Sequence, residues 1–357
     1  MPSHLLGLYG LDEKRCNIQP FGNGLINNTW KISCGDTEYI LQRINQHVFK
    51  QPFLLVDNIR KLSAYFKENH PEYLFVAPLL ALTGEDFIID NKTDYYRMFP
   101  FVRDSYTSDT VTKPSLAFEA AKQFGRFTRM LSAFDPLQLH ITLPDFHNLS
   151  LRYQQFESSI KNGNAGRISQ ATESIDFLRR HKSIVEVFEK IKTNPHFKLR
   201  VTHHDTKISN VLFGRQDGIG LCVIDLDTVM PGYFISDVGD MLRTYLSPVS
   251  EEEKDFSRIE IREEYFTAIA EGYLGEMQSE LSKDEKSHFV YAGKFMIYMQ
   301  AIRFLTDYLN NDIYYGSKYD GHNFIRANNQ IELLKRMMEK EEKLVEILNP
   351  FLNASSA

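Results

Sequence analysis

Cysteine is scarce in this chain: Cys16, Cys34 and Cys222 are odd in number, widely spaced and mostly set in apolar or strand-like surroundings. That fits reduced core thiols better than a disulfide framework or a cysteine-built zinc centre, and no structural metal is expected. Long hydrophobic runs are missing too. None approaches the roughly 18 apolar residues of a membrane span, and the opening Met-Pro-Ser-His-Leu-Leu-Gly-Leu-Tyr-Gly-Leu has no basic region before a continuous apolar core. A soluble, cytoplasmic protein with no membrane partner is expected. Charge of one sign is also lacking: 41 Lys and Arg against 47 Asp and Glu give a net charge of −6, with both signs dispersed. That pattern offers no surface to a nucleic-acid backbone. Repeats and low-complexity tracts are absent, and a monomer is expected.

What is present is core-forming material. Hydrophobic residues make up 43% and aromatics 13% of 357 positions, enough for a large core in two lobes. Up to residue 102 short β-type segments dominate, at 28–33, 38–45, 86–89 and 95–101, mostly bounded by Gly, Asp or Asn. One helix interrupts them at 54–68, where Leu55, Ile59, Leu62 and Phe66 recur at spacings of three and four. Beyond Val102 the texture turns helical. Pro114 opens a stripe of Phe118, Ala121, Phe124, Phe127, Leu131 and Phe134, and further helices are expected near 169–192, 259–276, 283–310 and 326–348. The expected class is α+β, a bilobal plan with an antiparallel-sheet N-lobe carrying one inserted helix (1–102) and a larger, mainly helical C-lobe (103–357).

The richest chemistry lies in His203-His204-Asp205-Thr206-Lys207-Ile208-Ser209-Asn210 and the following Val223-Ile224-Asp225-Leu226-Asp227. Phosphoryl transfer needs a carboxylate to receive the acceptor's proton, a second carboxylate on Mg²⁺ and an amide oxygen to complete the metal shell. Asp205, Asp225 and Asn210 are of those types, and the run matches the protein-kinase catalytic loop at its His, Asp and Asn, with Lys207 placed for a γ-phosphate contact. Between them, two short apolar runs flank Arg215-Gln216-Asp217-Gly218, a hairpin signal that folds Asp225 back beside Asn210.

Candidates for ATP come from the N-lobe. Phe21-Gly22-Asn23-Gly24-Leu25-Ile26-Asn27-Asn28-Thr29 supplies glycines and small polar residues whose N–H groups suit phosphate oxygens, with Gly24, Asn27 and Thr29 as the contacts; an ordinary turn is the alternative. Tyr39-Ile40-Leu41-Gln42-Arg43 stands where kinases carry Val-Ala-Ile-Lys, but no lysine is present. Gln42 takes its place and Arg43 follows; Arg43 is the expected cation, through a bulge or shifted register, with Asp57 as a carboxylate partner. The backbone of Phe99, Phe101 and Val102 is the expected adenine edge.

Taken together, these segments resemble the aminoglycoside phosphotransferase and choline kinase superfamily, small-molecule kinases with a protein-kinase-like fold. The likeness includes Asn27-Asn28-Thr29, Tyr39 to Asn45, Arg97-Met98-Phe99-Pro100-Phe101, the catalytic loop and Arg303-Phe304-Leu305-Thr306-Asp307-Tyr308. Asp205-Thr206-Lys207 and Asp225-Leu226-Asp227-Thr228-Val229-Met230-Pro231-Gly232 resemble the N-acetylhexosamine 1-kinase branch in particular. That branch phosphorylates the anomeric hydroxyl of N-acetylglucosamine or N-acetylgalactosamine with ATP and Mg²⁺. The resemblance implies Asp205 as base, Asn210 and Asp225 as metal ligands, Asp227 as a further metal-site residue, and Asp237 as the acid that supports the loop. His204 departs from it, standing where a smaller polar residue such as Asn is expected, next to the sugar pocket.

For a neutral N-acetylated sugar, Arg303, Asp307, Tyr308, Tyr314 and Tyr315, with Asn28 from the other lobe, offer hydrogen bonds and aromatic faces. Two rival readings are a kinase for a cationic amino alcohol or aminoglycoside, which wants acids or an aromatic cage, and an inactive nucleotide-binding module.

Overall fold

The computed structural model describes residues 2–22 and 26–353. The chain divides into two compact units: one takes the residues through Tyr106 with Leu137–Pro144 and Leu212–Met230, the other Thr107–Pro136, Asp145–Val211 and everything from Pro231. No described helix is long and apolar enough to cross a membrane.

The N-terminal unit is built on an antiparallel sheet of β1 (Cys16–Pro20), β2 (Asn28–Cys34), β3 (Thr37–Arg43), β4 (Ile88–Asp90) and β5 (Asp94–Pro100) in the order β1-β2-β3-β5-β4. Strand alternation puts Ile32, Leu41, Tyr96 and Met98 on one face, where they pack with Leu5, Leu6 and Ala81. Helix α1 (Pro52–Asn69) starts on a proline and buries Leu55, Val56, Ile59, Leu62 and Phe66. Its Asn58 donates to the carbonyls of His140 (2.9 Å) and Val229 (3.3 Å) and accepts the His140 N–H (2.8 Å). Those bonds fasten the two later segments, which the sequence reading assigned to the C-lobe, onto the N-terminal unit. A smaller sheet runs β6 (Ser105–Tyr106), β8 (Val211–Gly214), β9 (Gly220–Val223). The β8–β9 hairpin turns where expected, with Gly218 at φ 70° and Asp217 capping the Ile219 N–H.

The cysteines correct one expectation. Cys16 and Cys34 stand directly opposite in the β1–β2 ladder, 4.2 Å apart at Cα, and form a disulfide, whereas Cys222 is free and buried. Cross-strand register brings together two residues that spacing along the chain keeps apart.

The second unit is mainly helical: α2 (Pro114–Met130), α3 (Leu149–Asn162), α4 (Ala165–Gln170), α5 (Thr172–Arg180), α6 (Ser183–Thr193), strands β7 (Arg200–Thr202) and β10 (Met230–Gly232), then α7 (Phe234–Tyr245), α8 (Glu263–Met277), α9 (Lys283–Ser287), α10 (Phe289–Leu309), α11 (His322–Glu339) and α12 (Glu341–Asn353). Helix α10 is apolar almost all round because α3, α7 and α11 pack against it. Three expected helices are broken. Residues 169–192 fall across α4 to α6, and single residues, His288 (φ −96°, ψ 12°) and Lys340 (φ −97°, ψ 2°), separate α9 from α10 and α11 from α12. Such a break barely shifts the phase of the apolar stripe, so periodicity runs through it.

Candidate active site

After β7 the helical unit makes a loop that ends in a 3-10 turn, Ile208–Asn210. The loop backbone is pinned from one helix. Asp237, in the first turn of α7, accepts the His203 N–H at 3.0 Å and the His204 N–H at 2.7 Å, and its carbonyl takes the Thr206 hydroxyl at 2.8 Å. Tyr245, near the end of α7, donates to the Thr206 carbonyl at 2.5 Å. His204 is thereby held at φ 65°, a left-handed conformation that an ordinary residue rarely keeps. Gly232 is required nearby, because a Cβ there would collide with the Thr202 hydroxyl and the His204 imidazole.

Within this loop Asp205 gathers its partners. Asn210 Nδ2 donates to its carbonyl at 2.8 Å and its carboxylate at 3.0 Å, and Lys207 Nζ lies 2.8 Å away. Burial opposes ionisation of Asp205, yet Lys207, His203 and the Asn210 bond together hold its carboxyl below the usual range. It is therefore ionised at neutral pH, the form that accepts a proton. Lys207, also disfavoured by burial, is kept protonated by Asp205 and Asp240. Asn210 turns its Nδ2 to Asp205, which leaves Oδ1 as the end able to face a cation. Burial pushes the Asp237 carboxyl up to about 7 against its two N–H bonds, with Asp240 adding to the rise.

Next to the loop lies a cluster of rings and cations. His204 Nε2 is 2.7 Å from the Thr202 hydroxyl, and its Nδ1 is 3.4 Å from His147 Nδ1; the His147 ring stacks on Phe146 at 4.4 Å. Burial first, then His204 and the cations Arg303, Arg243 and Arg152, hold His147 well below its ordinary value, so this imidazole is neutral. The Arg303 guanidinium lies 5.8 Å from the ring of Phe146, 6.0 Å from Tyr314 and 5.5 Å from Tyr315. Arg152 on α3 feels the same groups: burial and Arg303 lower its pKa while Tyr314 and Tyr315 oppose that. Among the described residues neither Arg303 nor Arg152 is ion-paired; they bond to Gln300, Gln155 and the Asp145 carbonyl. The structure thus gathers His204, Arg303, Tyr314 and Tyr315, and adds Phe146, His147 and Arg152, which belong to no motif in the sequence.

Two expected acceptor residues sit elsewhere. The Asp307 side chain is buried and accepts the N–H groups of Tyr314 (2.7 Å) and Tyr315 (2.9 Å) and Asn323 Nδ2 (3.1 Å), so it clamps the tyrosine turn from behind. Tyr308, five residues after Arg303 and so roughly 140° further round the helix, donates to Gln170 at 2.6 Å and stacks on Phe324.

In the N-terminal unit the strand ladder decides which residues share a face. Thr29, Gln42 and Arg97 are neighbours across β2, β3 and β5; Asn28, Arg43 and Tyr96, one step along, point to the other side. The register runs unbroken from Tyr39 to Arg43, so the bulge that would have turned Arg43 to the face of Gln42 is not there. Arg43 instead donates to Asn28 at 2.9 Å and lies 3.8 Å from Asp94, while Asp57 is held by Lys61 (2.7 Å) and His140 (2.8 Å). Asn27 donates to Asp227 Oδ2 at 2.8 Å, and the Thr29 hydroxyl accepts from Gln42 at 3.3 Å. Asp227 is buried against Arg97, whereas Asp225 is exposed in a left-handed conformation (φ 59°) at the head of the turn Leu226–Thr228. Of the expected adenine edge, the Phe101 N–H donates to the Glu38 carbonyl (3.1 Å) and the Val102 carbonyl accepts the Ser105 hydroxyl (2.6 Å); the Phe99 ring lies under Arg97 (5.1 Å). Gly24 lies outside the described residues.

Comparison with known proteins gives the class. Residues 17–279 match the model of the phosphotransferase enzyme family. The chain belongs to that family, in the aminoglycoside phosphotransferase and choline kinase superfamily. Solved structures share the mixed α+β plan along nearly the whole length. An aminoglycoside phosphotransferase from Alicyclobacillus acidocaldarius has a TM-score of 0.66 at 12% identity, with 98% of this chain and 97% of that one covered. A microcompartment-associated aminopropanol kinase gives 0.62 at 14% identity over 96% and 97%. A choline kinase from Cryptosporidium parvum gives 0.57 at 15% identity over 96% and 95%. These likenesses establish the protein-kinase-like fold, while the family rests on the match over residues 17–279.

Proposed function

We propose that this chain is an ATP- and Mg²⁺-dependent kinase for a neutral sugar, acting on the anomeric C1 hydroxyl of N-acetylglucosamine or N-acetylgalactosamine. The observation that carries the reading is the cluster beside the catalytic loop. Arg303 and Arg152 are half-buried, not ion-paired among the described residues, and set against Phe146, Tyr314 and Tyr315. Such a surface repels an ammonium group, which calls for acids or an uncharged aromatic cage. It suits a hydroxyl- and carbonyl-rich ligand: guanidinium N–H groups donate to oxygens, and aromatic faces cover the apolar CH side of a sugar ring.

In the proposed reaction the sugar hydroxyl oxygen attacks the γ-phosphorus of ATP, the bond to the β–γ bridging oxygen breaks, and Asp205 orients the hydroxyl and takes its proton. Lys207, held on Asp205, supplies positive charge beside the transferring group. Oxygen donors of the hard type magnesium prefers are the amide of Asn210 and the exposed carboxylate of Asp225; Mg²⁺, when bound, neutralises charge on the phosphates. Asp227, occupied by Arg97 and Asn27, supports the turn rather than offering a free carboxylate. Asp237 keeps the loop in register.

A panel assay tests the substrate class. With ATP and Mg²⁺ present, ADP release on N-acetylhexosamines should exceed that on choline, 1-amino-2-propanol or aminoglycosides by about 100-fold in kcat/KM. Preference for any of the amines would contradict the reading.

A further inference from the structure

We propose that Arg97, rather than Arg43, stands in for the lysine that β3 lacks, and that it acts by fixing the turn that carries Asp225; the inference rests on the kinase reading above. Gln42 occupies the lysine's place, and its neighbour across the ladder is Arg97. The guanidinium bridges two partners. Its Nε and Nη2 donate to Gln42 Oε1 at 3.1 and 2.6 Å, and Nη2 lies 2.8 Å from Asp227 Oδ2 and 2.6 Å from Oδ1. The side chains of Arg97 and Asp227 are only 1% and 2% exposed. Asn27 adds a donor to Asp227 Oδ2 at 2.8 Å and is itself anchored by the Asn45 N–H at 2.9 Å, while the Thr142 hydroxyl bonds the Asp227 carbonyl at 3.0 Å. Side chain and backbone of the turn are both tied down.

Asp225, two residues upstream, has φ 59° and ψ 61°. Aspartate is among the few residues that visit that conformation, and a turn tied at side chain and backbone keeps it there. Packed hydrocarbon would fill the same volume without the desolvation that two buried charges impose. A planar guanidinium that bridges Gln42 and Asp227 does what hydrocarbon does not, because it ties the acid to β3 in direction as well as distance. Arg97 Nη1 has no hydrogen-bond partner among the described residues, so the buried fork keeps one donor for a ligand oxygen. Kinases that carry the lysine pair it with an acid from an inserted helix. Here the cation comes from β5 and the acid from the turn after Asp225, and the acid on α1, Asp57, is engaged by Lys61 and His140.

The test compares Arg97→Met, Arg97→Lys and the double variant Arg97→Met/Asp227→Leu, which removes the pair while keeping its volume. Urea stability, MgADP affinity by calorimetry, and kcat and KM for ATP are measured on each. The double variant should recover most of the stability lost by Arg97→Met, yet bind MgADP weakly and show kcat/KM for ATP reduced by about 100-fold through misplacement of the turn. Its KM for the acceptor should stay within about 3-fold of wild type, and Arg97→Lys, with the charge but not the fork, should fall between. A double variant that binds MgADP and turns over like wild type overturns the assignment, as does Arg43→Ala costing more than Arg97→Met. Calorimetry needs no acceptor, so a mistaken sugar leaves that arm decisive; a wild-type chain that does not bind MgADP overturns both readings.

Discussion

In the helical unit the loop of Asp205 is held by hydrogen bonds from its main chain to one helix, within residues 203–245, whereas in the N-terminal unit the acid turn is held by side chains from Asn27, Arg97 and Thr142. The first arrangement is local and almost independent of side-chain identity at the pinned positions. The second depends on one buried cation meeting one buried acid 130 residues later. A locally held loop survives as a motif; a long-range pair leaves no pattern in the sequence and is more exposed to a single substitution, which strands a charge in a dry site.

That contrast can be broken or sharpened, beginning with the largest effect. Asp205→Asn removes the proton acceptor but none of the loop's anchors, so turnover should fall by about 10³–10⁴-fold with MgADP affinity preserved. Steady-state rates with calorimetry check this, and near-normal turnover would refute the role. Arg97→Met leaves the Asp227 carboxylate buried without its cation and should cost about 3–5 kcal/mol of unfolding free energy. A loss under about 1 kcal/mol in urea titrations would show the pair to be incidental.

The Asp237 anchor gives a pH signature. Its folded pKa, near 7, lies above the unfolded value near 4. Between those limits the folded chain holds a proton that the unfolded chain releases, so the contribution is present at low pH and is lost as pH rises through 7. Relative to Asp237→Asn, wild type should lose up to about 4 kcal/mol of stability between pH 4 and 8, and a margin that grows with pH would be the wrong sign. The smallest effect concerns the acceptor side. Arg303→Ala should raise the acceptor KM by about 10–100-fold and leave KM for ATP unchanged, a split that equal effects on both would deny.

The same contrast explains what the sequence made legible. The antiparallel sheet, the helix inserted between its strands, the Asp217-Gly218 hairpin and the Asp205–Asn210 loop follow from local chemistry and short spacing, and all stand in the structure. Helix α7 is not among the expected helices, although Asp237, Asp240 and Thr244 recur on one side of it; Asp237 and Asp240 are buried along with its apolar residues. Cys16 and Cys34 needed the strand register, and Arg97 needed both the register and the later turn. Asp307 is expected in the acceptor pocket, but the backbone N–H groups of the following turn claim its carboxylate. Residue type and spacing point to the proposed reacting groups; the groups that orient them depend on tertiary proximity.

The acceptor chemistry is the central claim, and NMR of the product formed from ATP, Mg²⁺ and N-acetylglucosamine or N-acetylgalactosamine tests it most directly. The account predicts a sugar 1-phosphate, seen as phosphorus coupling to the anomeric proton. Phosphate on another hydroxyl, or product only from amino alcohols or aminoglycosides, would contradict it.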